Sequence, residues 1–193
     1  MNSRKWFSFL LVAFALMSMG VFTACGDDDD PAPTPENPKF DKVQYEFVGT
    51  VNKSFTEFAD IKMILETSTE TKEVLLDGAK EGTKFSATVS PTLPYKMKVT
   101  FTCTPKEGFT PQEGAEYDAI LTFDYSVAAY NTKGEKMTDA ANHMTITKSG
   151  GLDLINYFDE LWAGYAIEFP FNMSFTVEQD GDKVSISKRV NKE

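Results

Sequence analysis

Lys96-Met97-Lys98-Val99-Thr100-Phe101-Thr102-Cys103-Thr104 sets Met97, Val99, Phe101 and Cys103 on one side of an extended chain and the lysines and threonines on the other. Alternation with a period of two marks a half-buried antiparallel strand, with one face on a core and the other in water. Wound as a helix, the same apolar residues would scatter around the circumference, because helical faces recur every three or four residues. The stretch has to be a strand, and its neighbours repeat the pattern.

Towards the C-terminus, Tyr117, Ala119, Leu121, Phe123, Tyr125 and Val127 share a face in a run that ends at Tyr130. Tyr165, Ile167, Phe169, Phe171, Met173, Phe175 and Val177 line another, opposite Glu168, Asn172, Ser174 and Thr176. Pro170 falls on the outward side of that run and has no N–H to donate, which predicts an edge or a bulge there. Shorter alternations predict strands at Val43–Val51, Ile61–Leu65, Val74–Leu76, Phe85–Val89, Met144–Ile146 and Val184–Ile186. Asp180-Gly181 is a hairpin signal, since glycine accepts the positive φ of tight turns. Asn131 to Gly134 predicts a second hairpin, and Ser90-Pro91 through Pro94 a rigid connector. About nine strands in a folded part spanning 39–193 predict an all-β, antiparallel β-sandwich. Uneven strand lengths favour the sandwich, and a lipocalin-like barrel with an apolar interior ligand is the alternative.

One segment departs from period two. Leu152, Ile155, Phe158 and Leu161/Trp162 recur at helical spacing between Gly150-Gly151 and Gly164, which predicts one short helix at about 152–162. Its apolar face either plugs an open end of the β structure or carries Tyr157 and Trp162 as a platform for a ligand. Tyr130 is the third candidate stacking ring, because it ends its strand on the minority face.

The first 38 residues read as an address. Arg4 and Lys5 precede an apolar run from Trp6 to Phe22, the layout of a secretory signal. The run is marginal for a bilayer span of about 20 residues, and it ends in small residues and acids, without the basic flank of a retained anchor. Phe22-Thr23-Ala24-Cys25 resembles the bacterial lipobox, departing from it at Phe22, where that family prefers Leu. The resemblance implies cleavage after residue 24, a diacylglycerol thioether on Cys25 and N-acylation of the new terminus. Several acyl chains anchor firmly where one binds only marginally. A disulfide to Cys103 is the rival reading of Cys25, and it leaves the Thr-Ala-Cys signal unexplained. Gly26 and Asp27 to Asp30 resemble the acidic export run of Bacteroidetes surface lipoproteins, which implies the outer membrane, facing the exterior. The alternate prolines of Pro31 to Pro38 favour extended polyproline geometry, so 25–38 reads as a lipidated, acidic stalk.

Composition then narrows the function. The chain has 29 Asp+Glu against 19 Lys+Arg, a net charge of −10, and the leader removes two of the bases and none of the acids. So acidic a body repels nucleic acid and anionic headgroups. A single histidine, His143, gives no two-histidine metal site, and no Gly-x-Ser-x-Gly elbow accompanies it. On the fringe of a strand it reads as a solvated side chain. Asp118 with Asp124, or Asp159 with Glu160, are carboxylate pairs of the kind that cleave glycosides, but so acidic a chain offers such pairs by chance. Asp180-Gly181-Asp182 lacks the ligand series of a calcium loop. No cofactor is expected, and Cys103 reads as a small core residue.

The leader, acidic run and stalk resemble those of small Bacteroidetes surface lipoproteins. Leu93-Pro94-Tyr95-Lys96-Met97, leading into an alternating strand, is similar to immunoglobulin-like and transthyretin-like sandwiches. Neither resemblance assigns a functional residue beyond Cys25. The expectation is a non-enzymatic binding or adhesion module for a glycan or protein partner, acting through loops at one end of the sandwich. The alternatives are an accessory structural subunit of a cell-envelope assembly, bound through a strand edge, and a carboxylate-dependent hydrolase.

Overall fold

The structure, a computed structural model, describes residues 39–156 and 171–192. Its elements are β1 (Phe40–Val51), α1 (Lys53–Phe58), β2 (Ala59–Thr67), β3 (Thr71–Leu75), β4 (Thr83–Val89), β5 (Tyr95–Pro105), β6 (Tyr117–Asn131), β7 (Lys136–Gly150), β8 (Phe171–Asp180) and β9 (Lys183–Lys192). They form two antiparallel sheets, ordered β4-β1-β6-β7 and β3-β2-β5-β8-β9. Among the described residues no ladder joins one sheet to the other, so the chain is a sandwich and the barrel alternative is not formed.

Period-two patterning decides which side of each strand faces the core. Met97, Val99 and Phe101 are buried on β5, as are Tyr117 to Val127 at alternate positions on β6, and Phe171, Met173, Phe175 and Val177 on β8. Cys103 is buried among them, as its place in the alternation predicts. Between the sheets the aromatics meet in tilted and edge-on pairs. Phe47 lies 5.2 Å from Phe175, Phe101 lies 5.1 Å from Phe123, and Tyr125 lies 5.0 Å from Phe175. Such offset geometry suits the ring quadrupoles better than face-to-face stacking. Gly49 on β1 makes room for this packing, because a Cβ there would stand 3.0 Å from Met63 Sδ and 3.1 Å from Phe101 Cε1.

Register sorts the connections into two ends. Phe40 opposes Asn131, Val43 opposes Val89, and Tyr95 opposes Val177, so the described chain begins at the end that carries the short turns: 68–70, 90–94, 132–135 and 181–182. Gly134 (φ +78°) and Gly181 (φ +58°) supply the left-handed geometry in two of them, as their sequence context predicts. Gly49 opposes Thr83, Ala59 opposes Pro105, and Tyr117 opposes Gly150 at the other end, which holds α1 and the longer loops 76–82, 106–116 and 151–156.

Among the described residues a second helical segment joins the start of the expected one. Residues 152–156 are helical, with Leu154 and Ile155 buried, and the rest of the expected helix lies outside the described residues. The additional helix, α1, joins β1 to β2 and buries Phe55 and Phe58. Asn52 ties the junction to β6: its Oδ1 accepts from the Ile120 N–H at 3.0 Å, and its Nδ2 donates to the Asp118 carbonyl at 3.0 Å.

Candidate functional site

The outward face of the β4-β1-β6-β7 sheet is built from the residues that alternate with the core set. On β1 these are Lys42, Gln44, Glu46 and Val48, and on β6 they are Asp124, Ser126, Ala128 and Tyr130. Ala141 and His143 stand opposite Ser126 and Asp124 on β7. Small side chains down the middle leave the face hollow. One depression of about 350 Å³ lies between Glu46, Val48, Asp124, Ser126 and Ala141. A second, of about 290 Å³, lies between Gln44, Glu46, Ser126, Ala128 and Tyr130. Because Glu46 and Ser126 border both, the two form one shallow groove running from Asp124 to Tyr130.

Each end of the groove has its own chemistry. At one end Tyr130 is half-buried, with the Lys42 ammonium 6.0 Å from its ring centroid, an arrangement that the ring quadrupole favours. At the other end His143 Nδ1 lies 2.6 Å from Asp124 Oδ1, and His143 Nε2 lies 3.1 Å from the Thr145 hydroxyl. This carboxylate–imidazole–hydroxyl order is also the order of a nucleophilic relay. Here the His143 and Asp124 side chains are 63 % and 48 % exposed, open to water that weakens their charge interactions. The arrangement orients the Asp124 carboxylate, which borders the groove. Glu46 is held by Lys84 at 3.2 Å across neighbouring strands.

Tyr130 thus stands beside the groove, as a stacking candidate requires. Tyr157, Trp162 and Cys25 lie outside the described residues. His143 is solvent-exposed as expected, but it is oriented by two partners that periodicity alone does not reveal. The signal was the strand register, which sets Asp124 opposite His143. Asp118 and Asp124 share the outward side of β6 but are six residues apart, or about 20 Å along an extended strand. That separation rules them out as an acid–base pair, which works within about 10 Å. Asp159 and Glu160 lie outside the described residues, as does Pro170. Among the described residues no group of three or more potential metal ligands is gathered.

The loops offer a second hollow. A cleft of about 570 Å³ opens at the end where the described chain begins, between Ser68-Thr69 and the Ser90–Tyr95 connector. Its one aromatic, Tyr95, is buried to within 3 % and presents no stacking face. At the opposite end loop 106–116 is pinned inward: Gln112 N–H donates to the Tyr117 hydroxyl at 3.0 Å, and Phe109 packs against Phe58 and Tyr117. Among the described residues the sheet face, and not the loop ends, combines a partly exposed ring with directed polar groups.

No family model, curated protein or solved structure matches the chain.

Proposed function

We propose that the mature chain is a non-enzymatic binding module, held to the outer membrane by lipid on Cys25, that takes an extended neutral glycan along the outer face of its four-stranded sheet. The observation that carries the reading is the groove from Asp124 to Tyr130. A sugar presents an apolar C–H face and a rim of hydroxyls. An aromatic ring meets the first and carboxylate, amide and hydroxyl groups the second, as in ligand sites with a few placed polar groups. The net charge of −10 disfavours anionic polysaccharides. A shallow groove with one ring suits modest affinity reinforced by repeated contacts along a polymer.

Two experiments test the two halves of the reading. Purified full-length chain is titrated against soluble neutral polysaccharides, beside a Tyr130→Ala variant. Loss of one stacking ring weakens binding by about 1–1.5 kcal/mol, or roughly tenfold. Equal binding by the folded variant contradicts the site. For the anchor, radiolabelled palmitate is expected to enter the wild-type chain and not Cys25→Ala, and the variant is expected to leave the membrane fraction. A variant that stays as firmly bound contradicts the tether.

A further inference from the structure

Asp124 stands on β6 between two unlike neighbours. Val48 on β1 faces it from one side with no polar group, and His143 on β7 faces it from the other. Among the described residues the His143 ring makes the one hydrogen bond to the Asp124 carboxylate, at 2.6 Å. Without that bond an exposed carboxylate turns among its rotamers, and a ligand has to order it.

The donor roles in this array follow from what each side chain can do. A carboxylate only accepts, so Nδ1 carries the proton that meets Asp124. In the neutral ring Nε2 is then an acceptor, and the Thr145 hydroxyl donates to it at 3.1 Å. Thr145 lies two residues along β7 from His143, on the same side of the strand, so the strand itself helps to set the tautomer. The imidazole takes Oδ1 and leaves Oδ2 of a residue that borders the groove to accept from a ligand.

We propose that His143 is a positioning residue of the glycan site, which holds the Asp124 carboxylate in the rotamer that accepts sugar hydroxyls. The inference rests on the glycan reading and adds to it the part that Tyr130 does not supply, a fixed acceptor for hydroxyl donors. An acceptor oriented beforehand spares the ligand the entropy of ordering it.

The test is a double-mutant cycle on the affinity of the full-length chain for a soluble neutral polysaccharide. Both side chains are exposed, so their substitutions leave the core intact. His143→Ala is expected to weaken binding by about two- to fivefold, the range of an exposed charged pair. In an Asp124→Ala background the same change is expected to do nothing further, because its route to the ligand is gone. Two conservative variants separate orientation from bulk. His143→Asn carries an N–H where Nδ1 stood and is expected to recover most of the loss. His143→Gln reaches instead to the place of Nε2 and is expected not to. The chain has a single histidine, so nitrogen NMR of its ring reads the tautomer without ligand, and the proton of the neutral ring is expected on Nδ1. The inference is overturned if that proton sits on Nε2, if His143→Ala acts equally with and without Asp124, or if the Asn and Gln variants behave alike. Loss of affinity in Tyr130→Ala with none in His143→Ala overturns it and leaves the glycan reading standing. A wild-type chain that binds no neutral polysaccharide overturns both.

Discussion

Tyr45 and Tyr95 bring phenols into the sandwich close to Glu70. Burial, reinforced by Tyr95 and Glu70, pushes the Tyr45 phenol up to about 12 from its ordinary 10.0, and burial raises Tyr95 as well. A raised phenol leaves stability intact below the unfolded value and removes it as the pH climbs towards the folded one, because only the unfolded chain releases its proton in between. The fold is thus expected to hold up to about pH 10 and to lose stability steadily from there to about pH 12. Tyr45→Phe is expected to flatten that alkaline limb in urea melts at stepped pH; an unchanged slope would remove Tyr45 as its cause. Asn52 acts through geometry where Tyr45 acts through charge. Truncation to Ala removes the bonds to the Ile120 N–H and the Asp118 carbonyl, and is expected to cost about 1–2 kcal/mol by chemical denaturation. Neither role was legible in the sequence, since both depend on which distant residue the fold brings alongside. The burial of Cys103 was legible, because it follows from alternation alone.

Elements follow the same division. β5, β6 and β8 announce themselves because one face is buried and the other wet, so period two survives along their length. β7 shows only Met144 and Ile146 as a sequence signal, yet runs for 15 residues, because an edge strand can be polar on both faces and still be held by its ladder. α1 is six residues long, too short to display a helical stripe, and its stability comes from packing and not from propensity. Phe58 carries that packing, lying 5.4 Å from Phe55 and 5.8 Å from Tyr117. Phe58→Ala is expected to lower stability by about 3–5 kcal/mol, as read from the urea midpoint, with little change in the denaturant slope. A loss below about 1 kcal/mol would mean that α1 is dispensable to the core.

At the scale of the whole molecule, strand count and fold class could be read from turns and alternation, whereas the partition into four and five strands could not. Partition depends on which edges meet, and local pattern carries no record of that. The groove has the same origin: Glu46 on β1, Ser126 on β6 and Ala141 on β7 are distant in sequence and become neighbours only through the β4-β1-β6-β7 order. Tyr130 was singled out beforehand because a strand end on the minority side is visible locally, whereas Asp124 and His143 were each named without the pairing that joins them.

Recognition across the sheet face is most directly tested by labelling the alanine methyl groups of the full-length chain and following their NMR signals during titration with a neutral polysaccharide. Ala128 and Ala141 border the groove, while Ala79 and Ala115 sit in the long loops of one end. The account predicts that Ala128 and Ala141 shift with ligand while Ala79 and Ala115 stay still. Movement confined to the two loop alanines would contradict it.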